Sequence, residues 1–168
     1  MIFRLSLRFD NRRLETKEHG EEGEEEFFAP IERNFTSYNG ALGVKFQVLP
    51  ALTARINGAS GFRAPNLAEL TANGSHEGTN RYEIGNSSLD NEQNFQLDLA
   101  LEYRNEHFEL FANAFHNKIN NYIYLNPTGE FIEEDPVFEY FQNDARLYGG
   151  EARYSYSPPP YSLAAYRE

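Results

Sequence analysis

The residues able to do chemistry are few and scattered. The chain has no Cys, and its four imidazoles are His19, His76, His107 and His116. His19 lies in a run with Glu15, Glu18, Glu21, Glu22, Glu24, Glu25 and Glu26. Carboxylates gathered on a loop could catch a divalent cation or a basic ligand. No fixed ligand spacing is present, and like charges repel and stay hydrated, so the simpler reading is a solvated loop over Glu15–Asn34. His76 stands alone in a polar segment, where an imidazole could ligate an iron axially or simply be a polar loop residue. His107 sits by a turn and His116 in a strand, neither with a partner at metal-ligand spacing. Arg63 and Glu69 are opposite charges close in sequence, read either as an ion pair that fixes a loop or as direct ligand contacts. Tyr82, Phe131, Phe138, Tyr140 and Phe141 are aromatic rings in polar surroundings. They offer planar faces for a ligand, packing for loops, or markers of a membrane boundary. An enzyme finds no support. Gly58-Ala59-Ser60-Gly61 falls short of a G-x-S-x-G elbow. There is also no Cys–His pair, phosphate-binding Gly loop or H-E-x-x-H.

The elements that must hold these residues read as strands, because the apolar residues repeat with period two. In the first, residues 2–10, Phe3, Leu5, Leu7 and Phe9 oppose Arg4, Ser6, Arg8 and Asp10. In the second, 36–49, Tyr38, Leu42, Val44, Phe46 and Val48 share a face. Pro50-Ala51 makes a tight turn, and Leu52, Ala54 and Ile56 open a third strand reaching about Phe62. Pro65 could start a short helix carrying Leu67 and Leu70. The residues from there to Gln93 have loop composition. The fourth strand, 94–104, sets Phe95, Leu97, Leu99, Leu101 and Tyr103 against Gln96, Asp98, Ala100, Glu102 and Arg104. After a turn at Asn105-Glu106, the fifth strand runs from His107 to about Leu125 with a mixed pattern. Phe108, Leu110, Ala112 and Ala114 are assigned to its apolar face against Phe111, Phe115 and Ile119. Asn126-Pro127-Thr128-Gly129 is read as a break, with a polar loop to about Gln142. The sixth strand, 144–156, places Tyr148, Gly150, Ala152, Tyr154 and Tyr156 together, and Pro158-Pro159-Pro160 ends it.

The fold class expected is therefore all-β, an antiparallel meander of about six strands. Long connections (15–35, 63–93, 126–143) alternate with short ones (50–51, 105–106), which puts every long connection at one edge of the sheet. Outer-membrane barrels have this asymmetry, with long extracellular loops and short periplasmic turns. The strands also reach the roughly 9–11 residues needed to cross a bilayer. Periodicity alone equally fits a soluble sandwich or a lipocalin-like barrel. The chain has 168 residues, a formal charge of −11, and 11 Tyr and 14 Phe without Trp. The acidic balance argues against nucleic acid as a partner, and the aromatics suit the girdles of a membrane barrel. No run approaches the roughly 20 apolar residues of a spanning helix, which says nothing about a barrel. No basic-then-apolar leader opens the chain, so an internal piece of a longer protein is expected.

Two boxes choose between these architectures. Phe62-Arg63-Ala64-Pro65-Asn66-Leu67, continuing to Glu69-Leu70, matches an FRAP-x-L-x-E-L pattern. Gly85-Asn86-Ser87-Ser88-Leu89, continuing to Glu92, matches G-N-P-x-L-x-x-E except for Ser87 in place of Pro. With the strand that follows them, the boxes make the chain resemble the TonB-dependent outer-membrane receptors, over nearly residues 1–156. The resemblance implies part of a plugged barrel of about 22 strands in the bacterial cell outer membrane. It implies energised uptake of a ferric siderophore, haem or another metal complex. The implied partners are outer-membrane lipid, the remaining barrel strands, a plug domain, the TonB energy-coupling complex and a small-molecule or metal-complex cargo. No plug or energy-coupling box is seen within the chain, no cofactor is expected, and residues 157–168 read as a divergent or truncated tail. The proposed ligand contacts are Arg63, Glu69, His76 and Tyr82. Haem receptors resembling this family carry a haem-ligating His between such boxes, the place His76 holds. A passive porin-like channel and a soluble β-sheet binding module are the alternatives.

Overall fold

The computed structural model describes residues 1–17, 30–76, 78 and 80–158, except the side chain of His76. The acidic segment 18–29 with His19, and the tail from 159 onward, lie outside the described residues. The strands are β1 (Ile2–Glu15), β2 (Glu32–Leu49), β3 (Leu52–Arg63), β4 (Asn73–His76), β5 (Arg81–Ile84), β6 (Glu92–Arg104), β7 (Phe108–Ile132) and β8 (Asp135–Tyr156). One helix, α1 (Leu67–Thr71), lies between β3 and β4. All eight strands join one sheet in the order β1-β2-β3-β6-β7-β8-β5-β4. The sheet does not close on itself: β1 has a neighbour on one side only.

The six long strands form the expected antiparallel meander, and the two short ones were not foreseen. They form a hairpin inside the polar segment between the boxes, and β5 then runs parallel to β8 through Tyr82–Val137, Glu83–Phe138 and Ile84–Glu139. A second difference is larger. The segment expected as a loop over 126–143 is strand: β7 and β8 continue past Leu125 and meet at a two-residue turn, with Ile132 paired to Asp135. Pro127 and Gly129 do not end the ladder because the register slips between Pro127 and Phe131. A bulge of this kind absorbs a residue that cannot donate to the ladder. The Thr128 hydroxyl holds the bulge by donating to the Val137 carbonyl at 3.1 Å. At the tip Glu133 and Glu134 both have positive φ, 49° and 74°, the geometry of the hairpin turn usually written Asn-Gly.

Cross-strand register fixes the faces, since paired residues point the same way. Phe3, Val44, Ile56, Leu99, Ala114 and Gly150 lie on one rung, so the expected apolar stripes do share a face. That face has no covering layer: Leu7 is 81% and Tyr148 80% exposed. Water disfavours an apolar patch of this extent. The buried core lies on the opposite face, at the end of the sheet that carries the connections 16–31 and 64–91 and the β7–β8 turn. Phe35, Ala64, Leu70, Leu89 and Ile123 form it, with Leu14, Ile31, Phe62 and Tyr140 against them. The short turns 50–51 and 105–107 lie at the other end.

Candidate functional site

The β3–β6 connection folds onto the inner face of the sheet, and the two boxes are its base. Arg63 ends β3 and spans two carboxylates. Its Nη1 donates to both Glu69 oxygens at 2.9 Å, and its Nε and Nη2 donate to Glu92 at 2.9 and 2.7 Å. Only a planar, forked cation holds two carboxylates in this way. Glu69 also closes a capping box. Asn66 Oδ1 accepts from the Glu69 N–H at 2.8 Å, and Glu69 Oε2 accepts from the Asn66 N–H at 2.8 Å. Glu92 Oε1 accepts from the Ile123 N–H at 2.8 Å, which ties the box network to β7. Burial alone would raise the Glu92 carboxyl, but hydrogen bonds from Arg63 and Ile123 and the Arg63 charge hold it below its ordinary 4.5. Phe62, Ala64, Pro65 and Leu70 are packing residues, whereas Leu67 is largely exposed.

The second box lies against the first. The Gly85 N–H donates to Ala72 O at 2.6 Å and the Asn86 N–H to Glu69 O at 2.8 Å. A Cβ on Gly85 would meet the Ala72 and Thr71 nitrogens at 2.5 and 2.6 Å, so close backbone approach requires glycine here. Asn86 Oδ1 accepts from the Ser88 N–H and hydroxyl at 3.0 and 2.6 Å, an Asx turn. Leu89 is fully buried. Among the described residues the Ser87 N–H makes no backbone hydrogen bond, so this position suits either serine or proline.

Sequence reading missed the partners that come from distant strands. Arg33 on β2 donates to the carbonyls of Ser87 and Leu89, reaches Asp90 Oδ1 at 3.2 Å, and lies over the Phe35 ring. Gln142 on β8 accepts from the Asp90 N–H at 2.9 Å and donates to Asp90 O and Asn121 O. Nothing local in the sequence marks either residue, because each acts across more than one strand.

Above this base, Tyr82 is buried and donates to Asn73 Oδ1 at 3.1 Å. Glu83 is 3% exposed, pairs with Arg81 at 2.6 Å, and accepts from the Tyr140 hydroxyl at 2.9 Å. Burial, then the Glu83 bond and charge, push the Tyr140 phenol up to about 12. Arg81 lies over the Phe138 ring. His76 pairs with Arg81 at the far end of the β4–β5 hairpin. Phe131 is exposed near the β7–β8 tip, and Phe141 faces away from the β3–β6 connection. The structure thus brings Arg63 and Glu69 together, and it places Tyr82 and His76 on a separate hairpin above them. Among the described residues no three His, Asp or Glu side chains gather as a metal site.

A family model described as the TonB-dependent receptor-like β-barrel matches residues 2–167. The chain belongs to that family. Its members are receptors and transporters rather than enzymes. Several solved structures share the fold of this TonB-dependent receptor barrel segment. The Serratia marcescens hemophore receptor HasR, in complex with its hemophore HasA and heme, superposes with TM-score 0.71 at 17% identity over 93% of this chain and 29% of its own. The copper transporter OprC gives 0.73 at 17% identity over 94% of this chain and 24% of its own. The FrpB iron transporter of Neisseria meningitidis gives 0.58 at 16% identity, over 93% and 22%. The chain therefore spans less than a third of the length of each. Homologues of this barrel are outer-membrane proteins, and no described helix is long and apolar enough to cross a membrane.

Proposed function

We propose that this chain is part of the barrel wall and vestibule of a bacterial outer-membrane receptor that imports a scarce nutrient. The reading has a ferric siderophore, haem or another metal complex as cargo. A plug domain and the TonB energy-coupling complex, outside this chain, complete the cycle. The observation that carries it is the family match across the chain, joined to an apolar face left uncovered on one side and a polar, loop-capped face on the other. In a bilayer the backbone must satisfy its hydrogen bonds internally, so such a sheet is stable only as part of a closed barrel.

Within that reading the two boxes are positioning elements. Every charged atom of Arg63, Glu69 and Glu92 is already engaged in holding the connection shut. The contacts with cargo fall to the β4–β5 hairpin, with His76 as an axial ligand if the cargo is haem. The acts performed are capture and passage, with no bond broken. The test is equilibrium binding of haem, ferric siderophores and cobalamin to the full-length receptor, with and without residues 73–82. One cargo should bind to the intact receptor and lose at least tenfold in affinity on deletion. Unchanged affinity for the bound cargo would remove the hairpin from the site. Binding of none of the three, by a receptor shown to fold, would remove the cargo class.

A further inference from the structure

The inner face of the sheet near the short turns carries a group of cations that the loop base does not use. Register sets Lys45 on β2 directly opposite Arg55 on β3, and Arg4 on β1 opposite Gly43, diagonally beside Lys45. These side chains point to the same face as the boxes, since their neighbours Phe3, Val44 and Ile56 point outward. Like charges directly opposite each other on a sheet repel, and here they gather in a chain of formal charge −11. Among the described residues Arg4 and Lys45 make no ion pair, and Arg55 makes one, from Nη2 to Glu102 at 2.6 Å. Asp98, opposite Asn57 on β6, accepts from Gln96 at 2.9 Å. The Arg55 Nε–H is buried without an acceptor, so its lost hydration is uncompensated. The three cations border a hollow of about 450 Å³ whose lining also includes Gly43 and Asn57. Asn57 lies across Gly43, where a Cβ would meet its Oδ1 at 2.7 Å.

A repelling pair, a third cation beside it and a donor without an acceptor share one remedy, an oxyanion among them. Carboxylate and phosphate oxygens fit a guanidinium fork and accept from an ammonium. The hollow has the volume of a small-molecule pocket. Arg55 has two alternatives in reach. Turned to Glu102 it leaves Nε without a partner, and turned to an oxyanion in the hollow it can use Nε and Nη together. We propose that Arg4, Lys45 and Arg55 form an oxyanion site on the inner wall, which takes the carboxylate or phosphate groups of a small solute. The proposal rests on the barrel reading above for the place of this face in the lumen. It adds a site at the end of the short turns, remote from the boxes and from the β4–β5 hairpin.

The experiment uses the full-length receptor in zwitterionic detergent. It reads the acylation of each lysine amine by an N-hydroxysuccinimide ester, resolved by mass spectrometry. The probes are citrate and inorganic phosphate, with sodium chloride at matched ionic strength as reference and Lys17 and Lys118 as control amines. Citrate and phosphate should slow acylation of Lys45 several-fold and leave the controls at their rates in chloride. Arg4→Ala should raise the citrate concentration for half protection roughly tenfold, the lower end for loss of a charge-assisted hydrogen bond. Glu102→Gln should lower that concentration, because it frees Arg55 from a competing carboxylate. Arg55→Ala in the Glu102→Gln background should raise it again. Equal protection by chloride would overturn the proposal, as would protection that none of these variants alters. So would a Lys45 that resists acylation with no anion present, since another part of the receptor would then cover the cations. Heat-modifiable gel migration of each sample separates the two levels. A folded barrel without these differences ends the oxyanion site alone, and absence of a heat-modifiable band ends the barrel reading with it.

Discussion

Replacing Arg63 by alanine should open the base of the β3–β6 connection while leaving the barrel strands in place. The guanidinium makes contacts at 2.7–2.9 Å with Glu69 and Glu92, and those carboxylates are 8% and 9% exposed. Without it two nearly buried negative charges face each other. Truncating one partner of a buried ion pair costs about 3–5 kcal/mol. The Arg63 side chain is 42% exposed, and solvent screening at such a site removes roughly half of that, leaving about 2 kcal/mol. At about 1.4 kcal/mol per tenfold, the amides locked by this base should exchange with solvent about thirtyfold faster. The amides to read are those of Gly85, Asn86 and Ile123, which donate to Ala72 O, Glu69 O and the Glu92 carboxylate. Hydrogen exchange by mass spectrometry on the full receptor measures them, with the mid-β6 amides of Leu99 to Leu101 as control. Arg63→Lys keeps the charge but cannot fork to both carboxylates, so it should fall between wild type and alanine. Unchanged exchange at those three amides would refute the clamp. Equal acceleration at the control amides would show that Arg63 supports the whole sheet instead.

Four further outcomes follow. Gly85→Ala forces a Cβ against backbone nitrogens at 2.5 and 2.6 Å and should expose the connection to protease; an unaltered cleavage pattern would contradict the packing. Leu89→Ala removes a buried side chain and should cost about 2–5 kcal/mol of local stability, read by the same exchange experiment. The Glu92 carboxyl is held below 4.5, so its contribution is present above pH 4.5 and lost as pH falls through the lowered value. Protection of the Ile123 amide, measured against its intrinsic exchange rate at each pH, should fall in that acid range, and Glu92→Gln should flatten the dependence. Glu134→Gly relieves a positive φ at the β7–β8 tip and should stabilise the hairpin by roughly 1 kcal/mol, seen as slower exchange of the Ile132 and Asp135 amides.

The strands were legible because each alternates between one apolar and one polar face, and a one-residue slip would turn every side chain over. The boxes were legible as sequence strings, and so was the presence of a short helix near Pro65; its start was not, since Asn66 caps it, nor was its buried side, since Leu70 is buried and Leu67 exposed. What escaped had physical reasons. Pro127 and Gly129 carry the signature of a break, yet a register slip lets the ladder pass them. Glu133-Glu134 is a poor turn sequence by local propensity, and the long hairpin on either side imposes it. The β4–β5 hairpin is docked on β8 through the parallel pairing of β5, a distant partner that its own polar sequence does not announce. Arg33, Gln142 and Tyr140, whose carbonyl accepts from Asn86 Nδ2, could not be tied to the boxes from sequence, since their contacts bridge segments more than fifty residues apart. The sequence allows Arg63 and Glu69 either as an ion pair or as ligand contacts; the structure pairs them, and the second carboxylate, Glu92, completes the clamp.

Side-specific labelling of single cysteines on intact cells tests the central claim most directly, and the chain carries no cysteine of its own. In the full receptor, Gly78→Cys and Glu133→Cys should react with a membrane-impermeant maleimide. Glu106→Cys, at a short turn, should react only after the outer membrane is permeabilised, and Leu99→Cys, on the apolar face, in neither case. Labelling of Glu106→Cys on intact cells, or of Leu99→Cys in water-exposed form, would contradict a barrel with its long connections outside and its apolar face in lipid.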